Sequence, residues 1–160
     1  MNVKPAGYTP LQPAGIHSVN GTMTMKTDNT LKKILLVDDD CMFILIHRRM
    51  LELSGITAEI QTASSGRQAL ELLQHSRKLN DALPDVILLD LTMPGMDGFE
   101  FLANLEKLGI PEVGQMKVVI ITSSADPRDK ARLHRFKIDH YLQKPVPREI
   151  LLSSIGLTAA

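Results

Sequence analysis

The chain contains no tryptophan and one cysteine, and aromatic residues fill 4% of its 160 positions. A lone thiol, Cys41, cannot close an intramolecular disulfide, which excludes a stapled secreted scaffold. A charge excess of either sign is also lacking, because 18 Lys and Arg balance 18 Asp and Glu. That balance leaves no electrostatic footprint for nucleic acid or for an anionic membrane surface. No apolar run approaches the ~20 residues of a membrane span, and the N-terminus has neither the cationic start nor the apolar stretch of a secretory signal. The expectation is a soluble cytoplasmic protein without a nucleic-acid or membrane partner.

What is present is an ordinary globular balance, 44% hydrophobic and 22% charged. A chain of this length suffices for one domain with a proper core and is tight for two. Residues 1–30 stand apart, mixing Pro, Gly, Thr and Asn with scattered apolar residues in no period. Such a stretch buries too little surface to offset its ordering entropy, so it reads as a flexible extension. A partner-binding arm is one use for it. A dispensable extension, with translation starting at Met23 or Met25, is the plainer reading and is preferred.

From Leu31 the chain alternates strongly. Ile34-Leu35-Leu36-Val37, Val86-Ile87-Leu88-Leu89 and Val118-Val119-Ile120-Ile121 are short runs, apolar at every position. Runs of that kind suit strands buried on both faces of a parallel sheet. Glu59 to Ala63 and His140 to Gln143 are weaker strand candidates. Between them, Met42 to Ser54 places Ile46, Met50 and Leu53 at helical spacing, with Gly55 as a stop. Ser65 caps a second helix whose Ala69, Leu72 and Leu73 face inward. Phe99, Leu102 and Leu105 mark a third. Asp126-Pro127 opens a fourth that runs to about Phe136, and Pro147 opens a short fifth carrying Ile150, Leu151 and Ile155.

Five strands alternating with five helices imply an α/β fold: a doubly wound, flavodoxin-like parallel sheet of order 2-1-3-4-5 with helices on both faces. Right-handed crossovers then gather the strand C-termini along one edge, where such folds place their ligands. Asp38, Asp39 and Asp40 follow the first strand, Asp90 the third, Thr122 ends the fourth and Lys144 follows the fifth. Crowded carboxylates repel one another unless a cation neutralises them. A hard divalent cation such as Mg2+ prefers oxygen ligands of this kind. A carboxylate beside that ion can act as a nucleophile toward phosphorus, with an ammonium and a hydroxyl to meet the transferring oxygens.

The pieces ILLVDDD, VILLDLTMPGMDGFEFL, VVIITSS and YLQKP, in this order, resemble the receiver domain of bacterial response regulators. The resemblance spans about Leu31 to Ile155, and its most specific part runs from Asp90 through Met93-Pro94-Gly95-Met96-Asp97-Gly98. It implies Asp90 as phosphoacceptor, Asp38 and Asp39 as the acidic pair for Mg2+, and the backbone carbonyl of Thr92 as a further ligand. In that pair Asp39 corresponds to the direct ligand and Asp38 to one acting through water. Thr122 and Tyr141 resemble the switch pair and Lys144 the charge-neutralising lysine, its bond to Pro145 cis. The implied partners are a sensor histidine kinase or a histidine phosphotransfer protein, and a downstream target that the sequence does not name. The receiver unit is expected over residues 31–157, with no output domain after it.

Other residues near these motifs have plainer roles. Asp40 is explained by helix capping and stays outside the site. Gly95 and Gly98 serve loop geometry, and Asp97 caps the third helix. His47, His75 and His134 read as solvated helix positions, and Cys41 as inert packing. Phe136 to His140 replaces the small turn that many receivers carry before the fifth strand, which bears on the path into Tyr141. Thr92 and Ser124 lie where they could tune hydrolysis of the phosphoryl group. Rival functions fit less well. A haloacid-dehalogenase-type phosphohydrolase needs a second Asp two residues after the nucleophile, where Thr92 stands, and a cap domain. A nucleotide-binding module needs a glycine-rich loop that is missing. A receiver-like module signalling by binding alone remains the third reading.

Overall fold

The computed structural model describes residues 32–55 and 57–157; the N-terminal extension lies outside them. The chain alternates β1 (Lys32–Val37), α1 (Cys41–Glu52), β2 (Ala58–Ala63), α2 (Gly66–Lys78), β3 (Val86–Leu89), α3 (Gly98–Lys107), a 3-10 turn (Pro111–Gly114), β4 (Lys117–Thr122), α4 (Pro127–Leu133), β5 (His140–Gln143) and α5 (Arg148–Ser154). The strands form one sheet of order β2-β1-β3-β4-β5, and every neighbouring pair is parallel. This is the doubly wound architecture expected from the sequence.

The fully apolar strands behave as a two-sided burial requires. Leu35, Val37, Ile87, Leu89, Val118 and Ile120 join the core beneath α2, α3 and α4. Their neighbours Ile34, Leu36, Val86, Leu88, Val119 and Ile121 join the opposite core beneath α1 and α5. Each such side chain withdrawn from water contributes roughly 1.5–3 kcal/mol before chain entropy is set against it.

Local signals set the helix starts. Asp40 accepts from the amides of Met42 and Phe43, Ser65 from Gln68, Asp97 from Glu100 and Asp126 from Arg128. These bonds satisfy N–H groups that the first turn of a helix leaves open.

Four expectations need correction. The buried residues of α1 are His47 and Leu51, whereas Ile46 and Leu53 are more than half exposed. Apolar side chains surround much of this helix, so hydrophobicity alone selects no face; docking against the sheet does. His47 is therefore a core residue and not a solvated one. Cys41 is exposed rather than packed. Finally, α4 stops at Leu133, three residues early, because His134 and Phe136 turn back by bonding the carbonyls of Ala131 and Leu133. That turn drops Phe136 into the core. Among the described residues no helix is long and apolar enough to cross a membrane.

Candidate functional site

The parallel ladders continue one residue past the strand ends, and this places the site. The amide of Asp38 donates to Ala63 at 3.1 Å, that of Asp90 to Val37 at 2.9 Å, and that of Lys144 to Thr122 at 2.9 Å. Backbone hydrogen bonds thus set the residues that follow β1, β3 and β5 along one edge.

Carboxylate oxygens of Asp38, Asp39 and Asp90 lie within 4.8 Å of one another. Asp38 and Asp90 are buried while Asp39 faces solvent. The Lys144 ammonium donates to Asp38 Oδ2 at 2.6 Å and stands 3.5 Å from Asp90 Oδ2. Asp38 Oδ1 accepts the amide of Asp40 at 2.8 Å, and Asp90 Oδ1 that of Thr92 at 3.3 Å. Burial pushes the Asp38 carboxyl above its usual range, although the hydrogen bond from Lys144 opposes the shift. One ammonium against three carboxylates leaves the cluster negative, and every donor is a hard oxygen. That set fits a small divalent cation.

The start of α3 is pressed against the backbone of Asp90 and Leu91. A Cβ on Gly98 would stand 2.5 Å from the Asp90 carbonyl oxygen and 2.8 Å from Leu91 Cα. The loop before it turns through Gly95 at φ +75. The Lys144–Pro145 bond is cis, as the resemblance implied.

Thr122 and Tyr141 reach the β4–α4 loop. Thr122 is fully buried, and its hydroxyl accepts the Ser124 amide at 3.1 Å. The Tyr141 hydroxyl donates to the Ser124 carbonyl at 3.0 Å, so it is not simply a ring with its hydroxyl in water. Burial, followed by the nearby carboxylates of Asp129 and Asp126, raises the Tyr141 phenol above its ordinary value. The Ser124 hydroxyl donates to Asp129 at 2.5 Å, tying the loop to α4. Ahead of β5, Asp139 accepts the Val118 amide at 2.8 Å, which fixes the unusual path into Tyr141.

Sequence reading missed Asp129 and Phe43. The Phe43 ring lies 3.9 Å from the Lys144 ammonium. Its spacing from His47, four residues on along one helix face, was the available signal.

An open parallel sheet carrying an acidic cluster and a lysine over its strand C-termini defines a flavodoxin-like α/β module with an acidic edge. The sequence profile of the response regulator receiver domain matches residues 34–156, and the chain belongs to that family. Receiver domains are the signalling switches of two-component systems, and they bind Mg2+ through acidic residues. Protein PilH of Pseudomonas aeruginosa is 32% identical over 130 residues, which cover 81% of this chain and 99% of PilH. Sensor histidine kinase CheAY of Helicobacter pylori is 28% identical over 141 residues, 84% of this chain but 17% of the kinase. The structure of the Mn(2+)-bound form of response regulator Rcp1 superimposes with a TM-score of 0.65 at 29% identity, covering 78% of this chain and 90% of that one.

Proposed function

We propose that the chain accepts a phosphoryl group from phosphohistidine onto Asp90 and changes its partner-binding face in response. The receiver unit in this reading is residues 31–157. The observation that carries it is the position of the Lys144 ammonium, between Asp38 at 2.6 Å and Asp90 at 3.5 Å.

A carboxylate oxygen of Asp90 attacks phosphorus while the phosphorus–nitrogen bond to the donor imidazole breaks. The imidazole leaves with the bonding pair, and Asp90 holds an acyl phosphate. Asp38, Asp39, Asp90 and the Thr92 carbonyl are the groups that would hold Mg2+. When bound, this ion supplies positive charge against the phosphoryl oxygens. Lys144 neutralises a further share of that charge. The Thr122 hydroxyl turns toward the new phosphoryl oxygen, which gives up its bond from the Ser124 amide. Tyr141 reports that movement, because its hydroxyl bonds the carbonyl of the same Ser124. The face of α4, β5 and α5 is then a two-state element biased by a local charge event. Hydrolysis of the acyl phosphate resets it. The upstream partner is a sensor histidine kinase or a histidine phosphotransfer protein, a reading supported by the kinase among the relatives.

Intact-mass measurement with acetyl phosphate tests the proposal. Wild type should gain one phosphoryl group only with Mg2+, and Asp90→Asn should gain none. No gain in wild type, with acetyl phosphate or with a phosphorylated histidine kinase, would overturn it in favour of signalling by binding alone.

A further inference from the structure

The ammonium of Lys144 has a third neighbour that lies outside the acidic site. It stands 3.9 Å from the centroid of the Phe43 ring, in the first turn of α1. That ring is itself held. It stacks on His47 with centroids 3.7 Å apart and planes 24° from parallel. His47 Nδ1 is 2.9 Å from the Phe43 carbonyl, which can only accept, so Nδ1 carries the proton. His47 is buried, and burial lowers its pKa, so the imidazole stays neutral and adds no like charge beneath Lys144. Lys144, Phe43 and His47 therefore form a column from the site into the core between α1 and the sheet.

We propose that Phe43 is a positioning residue for phosphoryl transfer, its ring face holding the Lys144 ammonium where it reaches Asp90 as well as Asp38. This rests on the reading of Lys144 as the group that neutralises the phosphoryl oxygens. Two features of the geometry require a third contact. A lysine ammonium is a compact charge on a flexible stem, free to swing toward its stronger partner. Here the partners are unequal, with Asp38 at 2.6 Å and Asp90 at 3.5 Å. The negative face of an aromatic ring attracts an ammonium without forming a competing ion pair, and more strongly where water is excluded. The side chain of Lys144 is 15% exposed, so its contact with the ring is largely shielded. An aliphatic residue at position 43 could fill the same volume, but it would offer the ammonium nothing.

Stepwise fluorination of the Phe43 ring tests this, because fluorine drains the face of negative potential while keeping the ring's shape. The full chain is incubated with acetyl phosphate and Mg2+, and the rate of mass gain at Asp90 is followed. The rate should fall progressively along the series, by about five-fold or more at pentafluorophenylalanine. Phe43→Leu should be comparably slow, and Phe43→Tyr should retain the rate. A readout that needs no metal accompanies it: the Lys144 ε-methylene protons should resonate upfield in wild type and return toward ordinary values in Phe43→Leu. A flat rate across the fluorinated series overturns the proposal. Upfield protons in a wild type that takes no phosphoryl group would mean that the transfer reading itself is wrong, and the positioning role falls with it.

Discussion

The ammonium of Lys144 donates to Asp38 Oδ2 at 2.6 Å, joining the ends of β5 and β1 across 106 residues of chain. Asp38 is 2% exposed, and a second buried carboxylate, Asp90, stands beside the pair. Lys144→Ala would leave both without the cation that pairs with them. Removing one partner of a buried ion pair costs about 3–5 kcal/mol. The variant should lose about 3 kcal/mol of unfolding free energy in Mg2+-free urea melts. Saturating Mg2+ should restore part of that loss, and failure to do so would show that the three carboxylates share no ion.

Two glycines near Asp90 should respond differently to alanine. At Gly95 a Cβ meets nothing within 4 Å, and only the φ of +75 is unfavourable. Gly95→Ala should cost about 1–2 kcal/mol and leave phosphoryl uptake near wild type. At Gly98 the Cβ would overlap the backbone of Asp90 and Leu91. Gly98→Ala should cost about 1–3 kcal/mol and also slow uptake, because the backbone of Asp90 must shift. Denaturation and mass-gain rates on the two variants separate these outcomes.

His47 gives the fold an acid-sensitive component. Burial depresses its folded pKa below the ordinary imidazole value of 6.5, so between the two values the unfolded chain binds more protons than the folded one. Stability should therefore be highest above pH 6.5 and fall as pH drops below it. The folded-state pKa marks the lower end of that window. His47→Phe, which keeps a ring for stacking on Phe43, should flatten this part of the profile. Urea midpoints at pH 7.5 and 5.5 for both proteins check the sign.

The outward face of α1 should tolerate polar substitution. Met42, Leu45, Ile46 and Leu53 are all more than half exposed, whereas Leu51 is fully buried. Leu45→Gln and Ile46→Gln should each shift stability by less than about 0.5 kcal/mol. Leu51→Ala should cost about 2–5 kcal/mol through the cavity it leaves between α1, α5 and the sheet. Equal effects at both kinds of position would contradict the orientation of this helix.

The parts of the fold that could be read in advance have local causes. Val86 to Leu89 is apolar at every position, and a parallel strand covered on both faces has few alternatives. Asp97 and Asp126 stand one residue before their helices, and an N-cap needs only a short side chain and the next turn's amides. The parts that were misread lack such a cause. In α1 apolar residues lie on several sides, so the period gave no unique face and the burial of His47 went unseen. The early end of α4 follows from where Phe136 finds its place in the core, which composition near Leu133 does not encode.

By itself, then, the amino-acid sequence determined which residues stand at the ends of the strands, and so which chemistry one edge of the sheet can carry. Strand periodicity, capping residues and motif order are all short-range properties. Tertiary structure alone decided how those residues meet: Lys144 against Asp38 and Asp90, the Phe43 ring beneath its ammonium, and Tyr141 on the carbonyl of Ser124. These contacts join residues far apart in the chain. Their distances depend on how the helices settle on the sheet, and that is decided by the packing of the whole core.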